Sequence, residues 1–386
     1  MVKNKEINKK LKILFVLENY SPHIGGAEIV FKNLGEGLVK QGHQVSLVTH
    51  QLKNTKKFEI INGVRVYRVP CFDNRYLFTF FSIPKVLKLA KKVDIIHTTT
   101  FNGAPPAWLA SKICDKPCVI TIHEVWVNQW QKITEMGRFK AFFHNTLEKL
   151  IYKLRFTQYV AVSNSTRNQL LKIKIPKSKT TTIYNGVDYH HWDPKRYNGE
   201  KVRERLKLKN NFIYLFHGRP GTSKGFEYLI KAVPTISKLI PNSKLLALVS
   251  KDVAYKKNYK KIIQLIKKLK IQSNLILHNP VSYNEVPNYV KSTDCVVVPS
   301  LAEGFGFSAA EACAMNKPVV ASNTTSLPEV VSGRYILVKA KNPIDIAKGV
   351  VKVYQKEYNN KKLKKFGLKE NIDNYLKAYR KVAYNK

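Results

Sequence analysis

The chain has 386 residues, too many for one ordinary hydrophobic core and enough for two domains of similar size. Hydrophobic residues make up 44%, which excludes an intrinsically disordered chain, and no apolar run reaches the roughly 20 residues that span a bilayer. Lys and Arg number 67 against 26 Asp and Glu, a net charge of +41 that favours anionic lipid surfaces, phosphorylated substrates or nucleic acid, or reflects a lysine bias spread over the chain.

The N-terminus, MVKNKEINKKLKILFVLEN, is basic and then apolar. Ile13 to Leu17 is shorter than a signal-peptide core and lacks a small-residue cleavage site, so it reads as a first buried strand and the protein is expected to stay in the cytoplasm. Gly25 and Gly26, in HIGGAEIVFKNL, stand between this strand and a helix whose Val30, Leu34 and Leu38 share one face. Backbone amides at such a turn can hold a phosphate, or the turn can be purely structural. Strands are expected at Val45–Val48, Val64–Val69, Asp94–His97, Val119–Ile122 and Tyr159–Val162. His123 follows directly on one of them, where a histidine can bond a sugar hydroxyl or steady developing charge. Two segments, Arg75–Lys92 and Arg138–Phe156, mix aromatic residues with lysines. Such residues seat a helix in an anionic lipid interface or simply cover a sheet.

Punctuation by Gly186, Asp193, Pro194 and Gly199 places a domain boundary within Asn185–Asn198. A second series of strands follows at Ile213–His217, Leu245–Val249, Leu275–Leu277, Cys295–Val298 and Pro318–Ala321. After the first of these, FHGRPGTSKGFEYLIKAV carries Arg219 and Lys224 in a glycine-containing loop. A guanidinium fork and an ammonium point charge suit a diphosphate. The spacing is neither a Walker A loop nor G-x-G-x-x-G. After the fourth, PSLAEGFGFSAAEACAMNKPVVAS leads from a strand through Gly304, Phe305 and Gly306 into a helix of about Ser308–Met315. Phe307 and Ser308 open that helix, where amides and dipole favour an anion. Glu303 and Glu311 bracket the turn, and each carboxylate can accept bonds from two sugar hydroxyls. The final stretch, Asn371–Lys386, reads as a weakly amphipathic helix. Cys71, Cys114, Cys118, Cys295 and Cys313 are scattered and odd in number, which suits free thiols and neither a disulfide framework nor a zinc site.

Alternating strands and helices predict an α/β chain of two doubly wound units, with a ligand cleft at the carboxyl ends of their strands. The domains are read as 1–190 and 191–366, both Rossmann-like, and a helix at 367–386 that can cross back to the first.

Taken together, G-G-A-E (Gly25–Glu28), E-G-L-x3-G-H (Glu36–His43), the His123 strand end, V-S-N-S-T (Val162–Thr166), Y-N-G-V-D (Tyr184–Asp188), the G-R-x4-K-G loop and the E-x7-E block resemble glycosyltransferase family 4. The resemblance runs from about Leu11 to Ile346. It implies the GT-B fold, two Rossmann-like domains facing across a cleft, and a retaining, metal-independent transfer from a UDP-sugar or GDP-mannose to a lipid-linked or envelope glycan acceptor. Arg219 and Lys224 would then neutralise the donor diphosphate. Glu303 would hold the donor sugar, Glu311 the ribose, and the amides of Gly304–Ser308 the sugar and phosphate. His123 would reach the sugar from the other domain, and Gly25–Gly26 would lie by the diphosphate and acceptor. Two stretches depart from the pattern: LVSKD (Leu248–Asp252) and NTTSLPEVV (Asn323–Val331) stand where the family has glycines. A nucleotide-sugar epimerase on the same fold remains an alternative, though it needs a further acid/base pair. A non-catalytic nucleic-acid binder ranks last, because it gives the cleft motifs no purpose.

Overall fold

The computed structural model describes residues 9–23, 25–72, 74–134, 136–250 and 255–384. The chain forms two compact units. One comprises Met1–Trp130, Gly137–Gly186 and Phe366–Lys386; the other comprises Gln131–Met136 and Val187–Lys365.

The first unit is built on eight strands: β1 (Lys12–Val16), β2 (Gln44–His50), β3 (Phe58–Ile61), β4 (Val64–Val69), β5 (Ile95–Thr99), β6 (Cys118–Ile122), β7 (Gln158–Ala161) and β8 (Thr180–Thr182). Their order is β3-β4-β2-β1-β5-β6-β7-β8, parallel except for the β3–β4 edge hairpin. The central strands are buried on both sides, as a sheet covered on both faces requires, and β5 (IIHTT) brings His97 and Thr98 into the interior with them. Helix α1 (Gly26–Lys40) buries Val30, Phe31, Leu34 and Leu38 against β1, β2 and β4. Helix α2 (Arg138–Lys153) buries only Ala141, Glu148 and Ile151.

The second unit has seven strands: β9 (Phe212–Gly218), β10 (Ser243–Val249), β11 (Leu275–His278), β12 (Cys295–Val298), β13 (Val319–Ser322), β14 (Gly333–Val338) and β15 (Asn359–Lys361). The order β11-β10-β9-β12-β13-β14-β15 is parallel up to the antiparallel β15. The order reverses direction between β9 and β12, which makes a crevice at their carboxyl ends. Helix α3 (Phe226–Leu239) follows β9 and helix α4 (Phe307–Ala314) follows β12.

The last helix, α5 (Leu368–Tyr384), belongs to the first unit and is not a body of its own. Ile372, Tyr375, Leu376 and Tyr379 are buried in the same cluster as Phe15, Phe31 and Leu34, each contributing about 1.5–3 kcal/mol. The Tyr379 hydroxyl bridges to Nδ1 of His97 at 2.6 Å, and Oγ1 of Thr121 bridges Nε2 at 2.8 Å. The Tyr375 hydroxyl completes the chain to Thr121 at 2.9 Å. Burial, with His123 adding, holds His97 at a pKa of about 3, so the ring is neutral and bonded at both nitrogens.

Candidate active site

In the second unit, the loops after β9 and β12 are locked together. The amide of Leu301 donates to the carbonyl of Ser223 at 2.7 Å. Gly225 sits at φ +65°, and a Cβ there would stand 2.0 Å from the carbonyl oxygen of Pro299, so only glycine permits this approach. The approach brings Lys224 onto Glu303: the ammonium donates to both carboxylate oxygens, at 2.7 and 2.9 Å. Ser300 Oγ donates to the same carboxylate at 2.7 Å. Glu303 is held from behind by the segment that departs from the family pattern. Its amide donates to Thr325 Oγ1 at 2.9 Å, and Ser326 Oγ donates to the carbonyls of Glu303 and Phe305 at 3.0 and 2.9 Å.

Gly306, at φ +96°, turns the chain into α4 while packing on Leu327. Among the described residues no side chain caps the helix, so its first amides, those of Phe307 and Ser308, have no capping side chain. Gly304, Phe305 and Gly306 are buried and form a fixed turn. Arg219 is exposed, its guanidinium 5.9 Å from the centre of the Tyr255 ring. Glu311, one turn into α4, is 6% exposed and receives a long 3.5 Å bond from the Tyr283 hydroxyl. Burial raises its pKa to about 8. Ser250 closes the described part of LVSKD; Lys251 and Asp252 lie outside the described residues.

In the first unit, Gly25 precedes α1 with extended backbone, and the Glu28 carboxylate folds back over it. Burial opposes ionisation of Glu28, but the His23 hydrogen bond, its own backbone N–H, and the charges of His23 and His123 hold it below its usual range. His23 lies 3.3 Å from Glu28. His123 follows β6 with Nε2 buried and unbonded among the described residues. Burial, opposed by Glu28, takes its pKa to about 4, so it is a neutral imidazole at pH 7.

Residues 24–191 match the family model Glycosyltransferase Family 4, and residues 198–383 match Glycosyl transferases group 1. An uncharacterised glycosyltransferase of Methanocaldococcus jannaschii is 32% identical, over 97% of this chain and 95% of that protein. The chain belongs to glycosyltransferase family 4. It is a glycosyltransferase with the two-domain, Rossmann-like GT-B fold. Among its relatives, the UDP-Gal:alpha-D-GlcNAc-diphosphoundecaprenol alpha-1,3-galactosyltransferase of Escherichia coli is 24% identical over 99% of this chain and 100% of that one. The structure of Anabaena Alr3699/HepE with UDP and glucose superposes with a TM-score of 0.73 at 18% identity, covering 95% of this chain and 99% of that one, a likeness of fold.

Several residues of this glycosyltransferase escape a motif reading. His217 is the next-to-last residue of β9, near Lys224, and its buried Nε2 has no partner among the described residues. Burial, with Lys224 adding, takes its pKa to about 4. Tyr283 reaches the Glu311 carboxylate while stacking on His191 at 4.8 Å and accepting from Trp192 Nε1 at 3.1 Å. Glu148, buried in α2, accepts from the Trp126 amide at 2.9 Å and Trp130 Nε1 at 2.7 Å, and so fastens the loop that follows His123. Glu18, just past β1, accepts from Arg75 Nε at 3.0 Å and Asn102 Nδ2 at 2.6 Å. A polar residue at the carboxyl end of a buried strand is the signal that singles out Glu18, two residues past β1, and His217, next to last in β9; Tyr283 and Glu148 carry none.

Proposed function

We propose that this glycosyltransferase moves a hexose, with retention, from a UDP-sugar or GDP-mannose to a lipid-linked or cell-envelope glycan acceptor. The observation that carries the reading is the Lys224–Glu303 pair at the crevice between β9 and β12, beside the open N-terminus of α4. Glu303 presents carboxylate oxygens to the sugar hydroxyls, and Lys224 and Arg219 offer positive charge to the diphosphate. Phe307 and Ser308 amides add helix-end donors, and the Gly304–Gly306 turn lets the backbone approach. Glu311 meets the ribose. In the first unit, the reading takes His123 and the Gly25–Gly26 turn as ligand-contacting residues. The two cations carry the charge compensation, so the reading includes no metal.

In the transfer, the bond between the sugar's anomeric carbon and the β-phosphate oxygen breaks, and the acceptor oxygen bonds to that carbon on the same face. The acceptor's proton passes to a phosphate oxygen, and the nucleoside diphosphate leaves. Lys224 and Arg219 stabilise the charge that grows on it. The E. coli relative's name pairs a UDP-sugar with a diphosphoundecaprenol acceptor, which supports both classes here.

The test is donor binding and slow hydrolysis across UDP-, GDP- and ADP-sugars, for wild type beside Lys224→Ala and Glu303→Ala. One donor should bind and turn over, and both substitutions should abolish turnover in folded protein. Absence of binding by every nucleotide sugar at millimolar concentration would overturn the assignment.

A further inference from the structure

Helix α2 is inside out for a helix that merely covers a sheet. Phe139, Phe142, Phe143, Thr146 and Leu150 recur at i, i+3, i+4, i+7 and i+11, a single face. That face points to solvent: Phe139, Phe142 and Phe143 are 93, 71 and 58% exposed. The opposite face, Ala141, Glu148 and Ile151, is the buried one. Burying Glu148 to hold Trp126 and Trp130 turns the aromatic stripe outward.

A second exposed aromatic group lies beside it. Phe72, Phe80 and Phe81 are exposed, with the rings of Phe72 and Phe81 6.0 Å apart. The loop of Phe101 and Asn102 joins the two groups: the carbonyl of Asn102 accepts from Thr79 Oγ1 at 3.2 Å, and the Phe101 ring packs 5.8 Å from Trp130, which stacks on His144 of α2 at 4.9 Å. Charge is predominantly positive: residues 72–92 hold Arg75, Lys85, Lys88, Lys91 and Lys92 against the single acid Asp73. The only acid in 138–156 is the buried Glu148. Arg138, Lys140, Lys149 and Lys153 flank the stripe.

We propose that this face of the first unit, centred on Phe139, Phe142 and Phe143, seats in the interface of an anionic phospholipid bilayer. Exposed phenylalanines gain from the acyl boundary while the flanking cations meet lipid phosphates. A solvent-facing stripe of this kind is otherwise an aggregation liability. The surface borders Arg75 and Glu18, just past the carboxyl end of β1. It takes from the proposed function only that the acceptor carries a lipid, and it gives such an acceptor a route to the protein without leaving the membrane.

Flotation with vesicles of phosphatidylcholine alone, or with one third phosphatidylglycerol, tests this. Wild type should float with the anionic vesicles, weaken as salt rises, and ignore the zwitterionic ones. The triple variant Phe139→Ser, Phe142→Ser, Phe143→Ser should lose at least tenfold in partitioning, and Lys140→Glu, Lys149→Glu, Lys153→Glu likewise. Leu239→Ser with Ile344→Ser, exposed apolar residues of the second unit, should float as wild type does. All these side chains lie at the surface, so circular dichroism and melting should match. Failure of wild type to float, or flotation of the phenylalanine variant at the wild-type level, overturns the proposal. So does wild-type self-association in sedimentation velocity that the phenylalanine variant abolishes, since a second copy would then cover the face. Donor binding is read without vesicles, so it separates failure here from failure of the transferase reading.

Discussion

Replacing Gly225 with alanine should separate the two loops that make the candidate site. The added Cβ would stand 2.0 Å from the Pro299 carbonyl, against the 3.0 Å below which such contacts essentially never occur. Backbone cannot swing aside as a side-chain tip can, so the loops must part by about 1 Å. A non-glycine residue at φ +65° costs roughly 1–2 kcal/mol by itself. Stretching the Ser223–Leu301 hydrogen bond adds about 0.5–1.5 kcal/mol. The sum, roughly 1.5–3.5 kcal/mol, should lower the melting temperature of the second unit by about 3–14 °C. The same displacement pulls Lys224 off Glu303, and misplacement of that size costs about 10²-fold in turnover. Gly221→Ala is the matched control from the same loop: its φ is −71°, and its Cβ would meet only the edge of Tyr255 at 3.4 Å. Calorimetry and donor hydrolysis of both variants decide the matter. If Gly225→Ala melts and turns over like Gly221→Ala, the tight coupling of these loops is wrong.

Two further outcomes follow from buried polar groups. Glu311 has a folded pKa of about 8, above its unfolded value, so folding takes up a proton; its contribution is fully present below about pH 4.5 and is lost as pH rises from there through 8. Glu311→Gln should flatten that decline, worth a few kcal/mol at most, in melting temperature measured from pH 5 to 8; an unchanged slope would show that the carboxyl ionises freely. Tyr379→Phe removes the hydroxyl bridged to His97 and should cost about 1–3 kcal/mol, with faster hydrogen exchange throughout residues 368–384; exchange at the wild-type rate would show that packing alone holds α5.

The architecture was legible where strands are continuous buried runs, as in β1, β6, β9 and β12. Reading by such runs passes over β8 and β15, which are short polar edges (TTT and NNK), and β3, whose alternating exposure marks a hairpin. It also misses β14, which is half-exposed although rich in aromatic and branched residues. Within the site, residue types and loops could be read, but pairing could not. Lys224 and Glu303 are 79 residues apart and meet only because β12 inserts beside β9. Similarly, the periodicity of α2 predicts an apolar face but not which way it points. That depends on Glu148 finding two tryptophan-loop donors inside, a partnership invisible in spacing.

Because α5 completes the core of the first unit, that unit is assembled from segments made at opposite times. Ile372 fills the space against Gly37 where a Cβ would otherwise sit. During synthesis the sheet of residues 12–182 therefore waits, with the α5-facing side of α1 uncovered, while residues 187–365 emerge. At roughly 5–20 residues per second the wait is about 10–35 s. The second unit, nearly contiguous in sequence, can close first on the ribosome, and the first unit is the part of the nascent chain that needs shielding.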